Sequence, residues 1–262
     1  MSSKKKLVST IEHHLKATDG RLDFLGDCYF DDTSWELFLK NLRNFEPPDG
    51  YSIIDDTLYI VEHFEFDSTE FSEKKTKTKK KGSETRAEDS RIEREFHKAI
   101  SAATTMEGLF KDSYNVCHSS QNYVANAARN ITTHYNKIDS YIENLRTASI
   151  LNDGQIVRTG FFIEDTTVFG NIYIKRDKEN PYAQQVPIIL CQTKQFLDLF
   201  STYTKLDFCF CANNYGSNYF LSFINRESIP EYRKIEIDME KIEILNLSPQ
   251  AGGVYTVIDS TP

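Results

Sequence analysis

Gly50-Tyr-Ser-Ile-Ile-Asp-Asp-Thr-Leu-Tyr-Ile-Val-Glu-His-Phe-Glu-Phe-Asp67 reads as two β-strands joined by a turn. Residues 51–54 and 58–66 are dominated by aromatic and β-branched side chains, which fit a pleated, half-buried surface. Asp55-Asp56-Thr57 between them has turn composition, so a hairpin or sharp bend is predicted. Successive side chains on a strand point to opposite faces. Ile60, Glu62, Phe64 and Phe66 therefore share one face, with Glu62 its polar exception. Tyr59, Val61, His63, Glu65 and Asp67 share the other, which starts apolar and ends polar.

Upstream, Leu7, Ile11 and Leu15 recur at i, i+4 and i+8 and predict a helix over 3–17. A second helix over 33–45 carries Trp35, Leu37, Phe38, Leu39 and Leu42, is capped by Asp32 or Thr33, and stops at Pro47, Pro48 and Gly50. Downstream the composition changes. Residues 68–90 hold little apolar side chain to bury and are expected to form a mobile basic loop. Helices are predicted over 90–112 and 119–147. In the second, Val124, Ile131, Ile138 and Leu145 recur every seven residues, with Ala128, Tyr135 and Ile142 between them. That stripe fits a seam inside the monomer, with a homodimer through 119–147 as the alternative. Strands return at 155–164, 168–175, 186–191, 205–211, 218–224, 233–238 and 241–247, interrupted by a helix over 193–203 that Thr193 can cap. The order predicts a single α/β domain, α+β being the alternative. It has a mixed central sheet flanked by helices, and 90–147 is a helical insertion or subdomain between strands.

The 262 residues are 39% hydrophobic and 13% aromatic, enough to build a core. Net charge is −8, which weakens a duplex-coating role for the chain as a whole. A local basic run, Lys74, Lys75, Lys77, Lys79, Lys80 and Lys81, is the candidate contact to nucleic-acid phosphate. The five cysteines include no CxxC pair. Cys191, Cys209 and Cys211 lie in apolar, strand-like stretches and are expected to be reduced and buried. No apolar run approaches the roughly 20 residues of a membrane helix. Glu12, His13 and His14 interrupt the segment after the N-terminal lysines, so no secretory signal and a cytoplasmic, membrane-free protein are expected. No phosphate-binding glycine loop, GxSxG or HExxH pattern occurs.

The acidic groups at 55–67 point to a divalent cation. Carboxylates within a few ångströms of one another repel by several kcal/mol at an effective dielectric of ~20 unless a cation sits among them. Mg²⁺ or Mn²⁺ takes such oxygen ligands. Asp55, Asp56, Glu62 and Glu65 are the candidate ligands, with His63 and Asp67 beside them. This helix–strand–strand layout with clustered carboxylates resembles the PD-(D/E)XK nuclease superfamily. The resemblance makes Asp56 or Asp55 the first motif carboxylate and Glu65, or else Glu62, the second. It implies a metal-dependent endonuclease acting on DNA, in a group that includes antiphage defence effectors. The sequence departs from that motif in one place: Asp67 stands two residues after Glu65, and Phe64 two after Glu62, where lysine is expected. Lys194 or Lys98 are the candidate substitutes. The competing readings are a catalytically silent nuclease-like subunit that binds a protein or nucleic acid, and an unrelated interaction protein that dimerises through its long helix.

Overall fold

A computed structural model describes residues 7–26, 32–66, 120–167, 171–175, 183–215 and 218–240. Asp67, the 74–81 lysines, Lys98, the 90–112 helix and the 241–247 strand lie outside these residues.

Helix α1 (Leu7–Ala17) buries Leu7, Ile11 and, on the same face, Thr10 and His14. A two-residue strand β1 (Asp23–Phe24) follows. Helix α2 (Asp32–Asn41) ends earlier than the sequence predicts, because Arg43 and Asn44 leave the helix to pair with Tyr51 and Gly50 as strand β2 (Arg43–Asn44). Leu37, expected on the apolar face of α2, is 39% exposed. Strands β3 (Gly50–Ile54) and β4 (Thr57–Phe66) form the predicted hairpin, antiparallel from Ile54 against Thr57 to Gly50 against Val61. Asp55 turns the chain at φ +51°, a left-handed conformation that Asp tolerates better than most residues.

The long helix is broken at Asn136 and Lys137 into α3 (Ser120–Tyr135) and α4 (Ile138–Thr147). Its stripe is spent inside the chain. Ile131, Ile138 and Leu145 are buried against the sheet, and Val124, Tyr135 and Ile142 pack against the same core. Strand β5 (Ile156–Asp165), a two-stranded ribbon of β6 (Asn171–Lys175) and β7 (Ala183–Pro187), and helix α5 (Lys194–Thr202) follow. The predicted 186–191 strand is divided between the end of β7 and a 3₁₀ turn at Leu190–Gln192. Thr193 caps α5 as predicted, its hydroxyl accepting from Phe196 N at 3.3 Å. Strands β8 (Phe208–Tyr215) and β9 (Asn218–Asn225) form a second hairpin, and the strand predicted at 233–238 does not form: helix α6 (Ile229–Arg233) runs into its first residue and a turn follows. Of that stretch, Ile237 alone bridges to Thr193.

Seven strands make one mixed sheet in the order β1-β9-β8-β5-β4-β3-β2. The three inner strands β4, β5 and β8 are parallel, and antiparallel strands flank them. Helices cover both faces, so the fold is α/β. Leu58, Ile60, Phe64 and Phe66 of β4, Phe161 and Ile163 of β5, and Cys209 and Cys211 of β8 meet α3, α4 and α5. On the other face Val61, Phe162, Phe208, Phe210 and Phe223 meet Leu7 and Ile11 of α1 and Phe38 and Leu42 of α2. Fully burying a phenylalanine contributes about 1.5–3 kcal/mol, so this second, aromatic layer holds α1 and α2 firmly to the sheet. Gly160 of β5 leaves the space in which the Phe208 ring lies, and a Cβ there would overlap it. Cys191, Cys209 and Cys211 are buried free thiols, as the sequence predicts, and burial pushes Cys209 and Cys211 well up in pKa, away from reactive thiolate. Among the described residues no helix is long and apolar enough to cross a membrane.

Candidate metal centre

Strands β4, β5 and β8 run the same way and finish together. Phe66 pairs with Asp165, and Asp165 with Asn213. The carboxyl ends of parallel strands are where open α/β sheets hold their ligands. There Glu65 of β4 stands directly opposite Glu164 of β5, side chains on the α1 face. Like charges paired across strands destabilise a sheet unless something compensates them. His63 precedes Glu65 by one full strand repeat and shares its face. Ligand atoms of His63, Glu65 and Glu164 all lie within 4.8 Å of one another.

Glu164 is 6% exposed, and both its oxygens accept hydrogen bonds. His63 Nε2 donates to Oε2 at 2.6 Å, and His14 Nε2, from α1, donates to Oε1 at 2.7 Å. The two imidazoles flank Phe162, each with its ring centre 5.7 Å away. The His63 backbone N–H donates to Asp49 Oδ2 at 2.9 Å, which fixes the strand beside the cluster. On the opposite face of the same strand ends, Asp165 accepts from Tyr123 OH (2.8 Å), Asn213 Nδ2 (2.9 Å) and Thr167 N (2.9 Å). That carboxylate is occupied in tying α3 to β5 and β8.

The sequence-predicted site residues are only partly brought together. His63 and Glu65 are in the cluster. Asp55 and Asp56 are exposed at the far tip of the same strand. Nine residues at about 3.3 Å each put Asp56 roughly 30 Å from Glu65, so no ion is shared between those two. Glu62 lies across the sheet in the helical layer. Its Oε1 accepts from His134 Nδ1 (2.8 Å) and Tyr141 OH (2.7 Å), and Phe64 stacks on the His134 ring at 4.6 Å. Lys194 begins α5 on that same helical side, is half-buried, and pairs with Asp198 at 3.1 Å; it does not supply the missing lysine of the motif. Asp67 and Lys74, Lys75, Lys77, Lys79, Lys80 and Lys81 fall outside the described residues.

Glu164 and His14 escaped the sequence reading. Both left a signal. Strand β5 ends Phe-Phe-Ile-Glu-Asp, the apolar-then-acidic pattern of β4. His14 falls seven residues after Leu7, on the apolar face of α1, where a polar residue needs a partner.

The Glu62 cluster carries a test of its own. Burial, then the hydrogen bond to Glu62, raises the Tyr141 hydroxyl above its ordinary value near 10. A group whose folded pKa is raised contributes stability that is complete below the unfolded pKa and is lost as pH climbs toward the folded one. Urea stability is therefore expected to fall above about pH 10, and less steeply in Tyr141→Phe. At neutral pH the same variant is expected to lose about 1.5–3 kcal/mol, the worth of a hydrogen bond to a charged group. Identical alkaline profiles for the variant and the wild type would refute this.

No family model, curated protein or solved structure matches the chain.

Proposed function

We propose that this chain is a divalent-cation-dependent nuclease that hydrolyses DNA phosphodiesters, with the ion held by His63, Glu65 and Glu164. One observation carries the reading: two carboxylates face each other in register at the ends of parallel strands, with an imidazole among them. The donor set suits Mg²⁺ or Mn²⁺, and its nitrogen favours Mn²⁺, because imidazole is a poor ligand for the harder ion. When bound, such an ion lowers the pKa of its water and stabilises charge on the scissile phosphate. Glu65 and Glu164 fix the position of the centre, the His14 donor holds the Glu164 carboxylate in one orientation, and His63 coordinates only with a ring nitrogen that is not donating to Glu164. Phe162 and the other buried aromatic side chains of this layer keep bulk water from the inner side. Lys74 follows Glu65 by nine positions in the sequence, and a run of lysines suits a phosphate backbone.

A second reading is favoured by the saturation of Glu164. With both oxygens taken by histidines, the cluster also works as a non-catalytic tie between α1 and the sheet, as in a binding or scaffold subunit. Plasmid nicking and Mn²⁺ calorimetry on the whole chain separate the two. The nuclease reading expects cleavage with Mn²⁺, weaker cleavage with Mg²⁺, and none after chelation. Mn²⁺ binding without cleavage leaves an ion-binding module. Absence of both leaves the structural tie.

A further inference from the structure

His14 is the one member of this neighbourhood contributed by an N-terminal helix. It is 5% exposed, so its imidazole lost water on folding and needs protein partners in return. Among the described residues it has one. Nε2 stands 2.7 Å from Glu164 Oε1, while Nδ1 is buried with no hydrogen-bond partner among those residues. These two facts place the proton. A proton on Nδ1 would be a buried, unsatisfied donor and would set the Nε2 lone pair against a carboxylate oxygen. A proton on Nε2 satisfies Glu164 and leaves only a bare acceptor at Nδ1, the cheaper vacancy. His14 is thus fixed as a donor to one oxygen, leaving Glu164 to turn its other oxygen toward His63 and Glu65.

We propose that His14 is the positioning residue of this centre: it holds Glu164 in the orientation that an ion ligand needs, and thereby makes α1 part of the site. The proposal rests on the metal reading above. Outer partners of this kind orient ligating carboxylates, and their loss typically lowers metal affinity about 10–100-fold. The helix supplies the contact at no cost in flexibility. His14 is locked between Phe162 and Tyr219, at ring distances of 5.7 and 6.5 Å, and α1 is anchored by Leu7 and Ile11 in the aromatic layer.

The test compares His14→Gln with His14→Asn in the full chain. The Gln amide nitrogen reaches the place of Nε2, and the Asn amide only that of Nδ1. Mn²⁺ affinity by calorimetry is read beside the visible spectrum of bound Co²⁺, which reports ligand geometry and is not moved by a loss of stability alone. Expected is wild-type-like Mn²⁺ affinity, within about threefold, and an unshifted Co²⁺ band for His14→Gln, with a ~10–100-fold loss and a shifted band for His14→Asn. Folding of each variant is checked by circular dichroism. Wild-type affinity and spectrum in folded His14→Asn overturn the proposal. Should His14→Asn fail to fold, a shifted band or lost affinity in folded His14→Gln overturns it. If the wild type itself takes up neither Mn²⁺ nor Co²⁺, the metal reading fails and takes this role of His14 with it. If the wild type binds and only the His14 prediction fails, the centre stands without α1.

Discussion

Glu164→Gln is expected to lower Mn²⁺ affinity by more than the ~100-fold that marks the upper end for outer-sphere changes, and to abolish any Mn²⁺-dependent cleavage. The substitution removes a negative charge and one of three ligands while keeping the shape of the side chain. The fold is expected to survive. The amide oxygen still accepts from one histidine, and the amide nitrogen meets the other, whose neutral ring can shift its proton to accept. Glu62→Gln is the matched control. Glu62 lies one strand over on the opposite face, bonded to His134 and Tyr141, so its loss is expected to leave Mn²⁺ binding unchanged. Calorimetry on both variants checks this. Equal affinity in Glu164→Gln and the wild type would remove Glu164 from the ligand set.

Gly160→Ala is expected to be among the most destabilising small substitutions in the chain, at about 2–4 kcal/mol by urea unfolding. The added methyl would enter the volume of the Phe208 ring. That ring is fully buried and is itself wedged among Tyr59, Phe210 and Phe223, at ring distances of 6.2, 5.6 and 6.0 Å. It has nowhere to move without disturbing the aromatic layer under α1 and α2. Adding Phe208→Leu to Gly160→Ala is expected to recover part of the loss, because the smaller side chain vacates the contested space. A Gly160→Ala protein within 0.5 kcal/mol of wild type, the usual spread of harmless surface changes, would show that the sheet accommodates the methyl.

Local pattern carried much of this fold. The β3–β4 hairpin, the run of β5, the span of α5 and its Thr193 cap all follow from periodicity and turn chemistry that neighbouring residues express. Pairing did not. Asp56 and Glu65 are close in sequence, yet the extended strand β4 that follows Asp56 carries Glu65 to its opposite tip. Glu65 and Glu164 are far apart in sequence and meet because β4 and β5 pair in parallel, a register that no local pattern encodes. The break at Asn136 and Lys137 was hidden for a similar reason. The seven-residue stripe continues across it, and neither Gly nor Pro marks the place. Lys137 N bonding to His134 O at 3.0 Å, a tightened turn, ends α3 there. Helix α2 ends short of its apolar pattern because pairing of Arg43 and Asn44 with β3 overrides helix propensity.

The centre draws its members from distant parts of the chain, His63 being 101 positions from Glu164 and His14 150. Closing such long loops costs entropy before any contact repays it, and folds dominated by distant pairings assemble slowly. Neither half of the polypeptide holds the whole constellation. On the metal reading proposed above, a ribosome-bound chain that has not yet released β5 could not capture an ion there, and capture would wait until the parallel strands have docked. Mn²⁺ supplied during refolding is then expected to slow unfolding and leave the folding rate untouched, since the ligands come together only after the slow step has passed.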